Sequence, residues 1–182
     1  MKNEIKNVLV ATDFSAYATR TQHAAGTLCA QNDSRITLLY VLETSPYLIP
    51  ENRLTPTLLP ELASIADENL RKRAKILSQQ YGIAVDAQVV CGNSADEILK
   101  VVKAENADIV ITGIEERHAG DSSRKAIARR VAARTACPVL ALDDTKEVST
   151  LSDAASVINT KIKLYEGEAS HRIRATRGVR LE

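Results

Sequence analysis

Short, unbroken apolar runs alternate along this chain with longer stretches in which apolar residues recur every three or four positions. The first run, Asn7-Val8-Leu9-Val10-Ala11-Thr12, is rich in β-branched residues and too short for a helix. It lacks polar alternation, so it predicts a strand buried on both faces. From Ser15 to Gln31, Ala18, Ala25, Leu28 and Cys29 fall at helical spacing, and Asn32-Asp33 supplies a stop before a second strand, Ile36 to Leu42. That order is a β-α-β unit. Pro46, Pro50, Pro56 and Pro60 then interrupt residues 44–60, which read as a long surface loop.

Leu62, Ile65, Ala66, Leu70, Ala74 and Leu77 mark one face of a second helix, with Pro60 at its first turn and Gly82 at its end. A strand from Ala84 to Val90 leads to Gly92-Asn93-Ser94. There Ser94 and Glu97 have the spacing of a capping box for a helix that turns Ile98, Leu99 and Val102 inward. A strand from Asp108 to Thr112, a polar loop after Gly113, a helix from Ser123 to Thr135 and a last strand from Pro138 to Leu142 complete the pattern. Strands that are apolar throughout and alternate with helices predict a three-layer, doubly wound α/β domain with a parallel sheet, over residues 1–144. Beyond it, Leu151, Ala154, Ala155, Ile158, Ile162 and Tyr165 predict an amphipathic helix over 150–165. A basic, loosely ordered tail closes the 145–182 extension.

Composition narrows the function. Among 182 residues, 24 Lys and Arg face 23 Asp and Glu, so no overall field draws the chain to nucleic acid or to an acidic surface. Aromatics are 3% with no Trp, which leaves little material for stacking bases. Nucleic acid is therefore not an expected partner. Cys29, Cys91 and Cys137 are scattered and odd in number, which suits reduced thiols rather than a metal knuckle or a disulfide framework. No metal site is expected. Neither a signal-like apolar region nor a membrane-length run occurs, so a cytoplasmic location is expected.

In open α/β sheets ligands bind beyond the carboxyl ends of the strands. That edge gathers Asp13 and Ser15, Val41 to Glu43, Gly92 with Asn93, and the Gly113 loop. Asp13 there suits a ribose hydroxyl or an adenine amine, and Gly113 lets backbone approach a phosphate. The alternative is plainer: Asp13 caps the first helix and Gly113 relieves a tight turn. No Ser or Cys stands beside His23, His118 or His171 as a motif, and no catalytic residue is assigned. Arg124, Lys125, Arg129, Arg130 and Arg134 read as a solvated helix face or an anion site.

Together, Asn-Val-Leu-Val-Ala-Thr-Asp-Phe-Ser at 7–15, the strand 36–41, Gly-Asn-Ser-Ala-Asp-Glu-Ile at 92–98, Ala-Asp-Ile-Val-Ile-Thr-Gly at 107–113 and Ala-Cys-Pro-Val-Leu at 136–140 resemble the universal stress protein family, in the family's order. The resemblance implies a five-stranded sheet ordered 3-2-1-4-5 and a homodimer pairing its last strands, here Val139, Leu140, Ala141 and Leu142. ATP-binding members carry a loop of the form Gly-x2-Gly-x9-Gly-Ser/Thr. Here Gly113 matches the first glycine, Glu116 stands at the second, and Lys125-Ala126 at the closing pair, with one residue fewer between. Gly120 with Ser122 and Ser123 is a shifted substitute, and Asp13 and Val41 match adenosine-contacting positions.

The resemblance therefore implies a non-catalytic stress-response homodimer with a degenerate nucleotide site and no required cofactor, working through an unidentified protein partner. The alternative is an ATP or AMP sensor using Asp13, Val41, Gly92, Gly113, Gly120, Ser122 and Ser123, with ATP hydrolysis contingent on binding. An α-hydrolase-like enzyme fits least, because no Ser-Gly-Gly-x-Asp-Ser loop follows the first strand.

Overall fold

The computed structural model describes residues 5–44, 58–114, 124–143 and 162–165. In chain order the elements are β1 (Asn7–Thr12), α1 (Ala16–Asn32), β2 (Arg35–Glu43), α2 (Leu58–Tyr81), β3 (Val85–Gly92), α3 (Ser94–Ala104), β4 (Ile109–Ile114), α4 (Arg124–Arg134), β5 (Val139–Asp143) and β6 (Ile162–Tyr165). The sheet order is β3-β2-β1-β4-β5-β6. Its first five strands are parallel and take the expected 3-2-1-4-5 order.

Burial on both faces explains why the central strands β1, β2 and β4 are mostly apolar. Val8, Val10, Ile36, Leu38, Ile109 and Ile111 pack one face against Ala25, Cys29, Leu70, Ala74 and Leu77 of α1 and α2. Leu9, Leu39, Val110 and Val139 pack the other against Ala95, Ile98, Leu99, Val102, Val131 and Ala132 of α3 and α4. Alternate residues of one strand thus feed two cores, as the period of two requires. Register is locked at the amino edge by Asp108. Its Oδ2 accepts the N–H groups of Lys6 at 2.9 Å and Asn7 at 2.8 Å, tying the entry of β1 to that of β4.

Several boundaries differ from expectation for identifiable reasons. Helix α2 begins at Leu58, three residues before Glu61, inside the expected loop. Pro60 still falls in its first turn, where its missing N–H has no intrahelical partner to lose. The first-turn pairing expected of Ser94 and Glu97 does not form. Asn93 is the N-cap, its side chain accepting the Asp96 N–H at 3.4 Å, while Glu97 turns to Lys100 at 2.6 Å. Helix α1 closes on Asp33, which takes a left-handed conformation (φ 50°) and donates its N–H to the carbonyl of Cys29.

The larger correction concerns the extension. Residues 162–165, expected to end a helix over 150–165, form β6, antiparallel to β5 with Leu142 opposite Ile162 and Val139 opposite Tyr165. Helical periodicity in a short apolar segment does not prevent pairing with an open sheet edge, which offers a full row of backbone partners. Residues 150–161 and the basic tail lie outside the described residues. β6 takes the side of β5 away from β4, the edge through which Val139 to Leu142 are expected to meet a second copy. Pairing that edge with another chain would require β6 to leave it.

Candidate functional site

Where β1, β2 and β4 end, the chain leaves the sheet toward different helices and opens a cavity of about 210 Å³. Its wall includes Thr12, Asp13, Val41, Thr112 and Gly113 from the strand ends, Thr21 from α1, Ser94 and Ile98 from α3, and Ile127 from α4. Asp13, Val41 and Gly113, singled out from sequence, thus line one space. Gly92 does not line it. Its φ of 150° and the Glu97 carboxyl, 2.8 Å from where a Cβ would stand, explain the glycine by backbone and packing. Gly120, Ser122 and Ser123 lie outside the described residues, as does Glu116. Lys125 and Ala126 fall in the first turn of α4.

Asp13 does not cap α1 itself. Its Oδ1 accepts both the N–H of Ser15 at 2.9 Å and the Ser15 hydroxyl at 2.5 Å. That orientation leaves a lone pair of Ser15 Oγ for the Ala18 N–H at 3.2 Å, so Ser15 is the N-cap and Asp13 its brace. Asp13 is half-buried and lies on the cavity wall near the start of α1.

A second carboxylate holds the start of α3 through Ser94 of the cavity wall. Glu43, the last residue of β2, accepts the Ser94 N–H at 2.9 Å and the Ser94 hydroxyl at 2.6 Å through Oε2. It thereby neutralises the partial positive charge at the start of α3. Its other oxygen, Oε1, is buried and finds no partner among the described residues. Nor does the hydroxyl of Thr21, a residue only 1% exposed. Two other hydroxyls of the wall are engaged: Thr12 Oγ accepts from Gln22 at 2.7 Å, and Thr112 Oγ donates to the carbonyl of Gly113 at 3.3 Å. Glu43 was visible from sequence only as an edge residue. Its bond to Ser94 joins positions 51 apart that only the β2–β3 pairing brings together, and Thr21 carried no signal beyond its place on a helix.

The other sequence candidates lie elsewhere. His23 shares a hydrogen bond with the Tyr81 hydroxyl at 2.9 Å between α1 and α2, and burial lowers its pKa. His118 and His171 fall outside the described residues. Arg129 and Arg130 lie on the exposed face of α4, and Arg134 pairs with Asp96 of α3 at 2.5 Å, an exposed contact of about 0–1 kcal/mol. Among the described residues no cluster of His, Cys, Asp and Glu could hold a metal ion, and no helix is long and apolar enough to cross a membrane.

A doubly wound sheet ordered 3-2-1-4-5, with its cavity at the carboxyl edge between β1, β2 and β4, places the chain in the class of open α/β domains whose ligands bind at that edge. Within that class, the model of the universal stress protein family matches residues 4–143, and the chain belongs to that family. Universal stress protein MJ0531 of Methanocaldococcus jannaschii is 23% identical over 152 residues, covering 80% of this chain and 86% of the relative. A universal stress family protein from Burkholderia pseudomallei superimposes with a TM-score of 0.61 at 19% identity, covering 78% of this chain and 98% of that one. The universal stress protein from Archaeoglobus fulgidus, solved in complex with dAMP, superimposes with a TM-score of 0.55 at 18% identity, over 76% of this chain and 98% of that one. At these identities the likeness to the two solved structures is one of fold.

Proposed function

We propose that this chain is a cytoplasmic regulatory module that binds an adenine nucleotide, or its nucleoside, in the carboxyl-edge cavity and acts through that occupancy rather than by turnover. One observation carries the reading: folding converges Asp13, Val41 and Gly113, from three separate strands, on a single cavity. An adenine ring suits the apolar wall of Ala11, Leu39, Val41, Ile98 and Ile127, and its sugar suits the Asp13 carboxylate. The dAMP bound by the relative from Archaeoglobus fulgidus supports the same ligand class. This favours the sensor over the purely protein-contact dimer, although the glycine spacing after Gly113 departs from the ATP-binding pattern.

The test is a titration of nucleotide-stripped protein with adenosine, AMP, ADP and ATP, with and without Mg²⁺, read by calorimetry and thermal unfolding. A ligand confined to the native state stabilises it by about 2.7 kcal/mol at a hundred times its Kd. Binding that Asp13→Ala weakens at least tenfold supports the site. No heat and no thermal shift at millimolar concentration of any of the four would reject it and return the protein-contact dimer to first place.

A further inference from the structure

Helix α2 carries two stripes of apolar side chains, and the core of the domain takes up only one. Ala66, Leu70, Ala74 and Leu77 are buried in the cluster that α1 and the sheet share. At about 100° per residue a second set, Leu58, Leu62, Ile65 and Ile76, falls within about 60° of the helix surface, roughly 110° away from the first. These are all the exposed large hydrophobics among the described residues, at 37%, 37%, 57% and 58%. Leu62 and Ile65, which the period alone groups with the buried face, therefore lie off it. Steps of four and three residues through Leu58, Leu62, Ile65, Asn69, Lys72 and Ile76 are the spacing of a seam that packs against another helix.

The charges beside this stripe say what fits it. All the acidic residues of α2, Glu61, Asp67 and Glu68, precede Asn69, and all the basic ones, Arg71, Lys72, Arg73 and Lys75, follow it. The helix dipole does not explain the division, because it acts within the first and last turns and only Glu61 lies there. Contacts within the protein use part of it: Asp67 pairs with Arg71 and Glu68 with Lys72, each at 2.7 Å and exposed, and Arg73 lies over the ring of Phe14. A helix acidic in one half and basic in the other complements itself when reversed and repels itself when parallel. Reversal about a twofold axis midway along α2 sets Ile65 opposite Ile76 of the second copy, Asn69 opposite Lys72, and Glu68 opposite Lys75, each contact being made twice. Parallel pairing would instead set Lys72 against its own copy in the seam. The edge of β5, the other surface through which copies are expected to meet, already carries β6.

We propose that the exposed stripe of α2 is a docking surface for a second copy of this chain, with the two helices paired antiparallel through Leu62, Ile65 and Ile76. Asn69 and Lys72 in the middle of the seam weaken this pairing while fixing its register, so the association is reversible and falls in the micromolar range.

Sedimentation equilibrium of the full chain, from low to high micromolar concentration, reads the association. The unaltered protein is expected to pass from monomer to dimer. The double variant Ile65→Ser, Ile76→Ser changes two exposed positions, so it is expected to weaken the dimer at least tenfold while leaving the unfolding midpoint of the dilute monomer unchanged. Charge reversal tests the direction: Glu68→Lys and Lys75→Glu each bring like charges together and are expected to weaken the dimer severalfold, and combining them is expected to restore it. A protein that stays monomeric throughout, or a dimer indifferent to the serine variant, overturns the proposal. A lowered midpoint in the dilute serine variant overturns it as well, because the stripe would then be covered by the chain's own residues. A loss in Glu68→Lys that the combined variant does not recover overturns the antiparallel arrangement, since parallel helices set Glu68 beside Arg73 of the second copy, where Lys75→Glu repairs nothing.

Discussion

Gly26 lies within α1, where alanine would ordinarily stabilise a helix by about 1 kcal/mol. Here the gain is opposed. A Cβ at this position would stand 2.5 Å from two ring carbons of Tyr81 and 2.9 Å from a third, so the whole ring must move rather than only its far end. Tyr81 ends α2, and its hydroxyl is hydrogen-bonded to His23 Nδ1 at 2.9 Å. Displacing the ring sacrifices that bond, about 0.5–1.5 kcal/mol, together with its packing on α1; overpacking costs of this kind run about 1–3 kcal/mol. Against the helical gain, Gly26→Ala is expected to destabilise by about 1 kcal/mol, a loss of roughly 2–4 °C in Tm for a chain of this size. In a Tyr81→Ala background the obstacle is gone and the same substitution is expected to stabilise by up to about 1 kcal/mol. Urea unfolding of the two single variants and the double variant gives the coupling directly. If Gly26→Ala stabilises both backgrounds equally, the ring does not hold its place over α1 and the reasoning fails.

Three further outcomes are expected. Leu70, 0% exposed between α2 and the sheet, should cost about 2–5 kcal/mol as Leu70→Ala, read from urea midpoints at unchanged slope; a loss below 1 kcal/mol would mean that the α2 core collapses freely around the gap. Burial holds the His23 imidazole below its ordinary 6.5, so the unfolded chain takes up the proton first. The stability this residue contributes is therefore whole above about pH 6.5 and falls as pH drops below it toward the folded pKa. Unfolding midpoints of His23→Gln should accordingly decline less between pH 7.5 and 5.5 than those of the unaltered chain, and parallel declines would contradict the assignment. Burial also pushes the Cys29 thiol up to about 12 and Cys137 to about 11, while Cys91 is exposed. A thiol reagent at pH 8 should label Cys91 in the native protein and Cys29 only on unfolding, as mass spectrometry of the labelled peptides would show.

The alternation of buried strands and helices was readable because the central strands had to be apolar on both faces, a condition that leaves its mark on consecutive residues. Asp13, Val41 and Gly113 were readable for a related reason: they end strands, and in this fold strand ends are where ligands bind. Local chemistry misled where neighbours competed. Ser94 and Glu97 have the spacing of a capping box, yet Asn93 caps α3, because Glu43 claims Ser94 and Lys100 claims Glu97.

What the sequence determined alone was the period of its apolar residues, and hence which segments between residues 7 and 143 are strands, which are helices and that those five strands run parallel. The tertiary structure alone decided three things: that Glu43 closes the start of α3, that Thr21 faces the cavity with an unmatched hydroxyl, and that residues 162–165 add a strand to β5. The physical reason is common to all three. Periodicity is a property of adjacent residues, whereas a carboxylate's partner, a hydroxyl's lack of one and the occupancy of a sheet edge depend on groups that only the folded chain brings within hydrogen-bond distance.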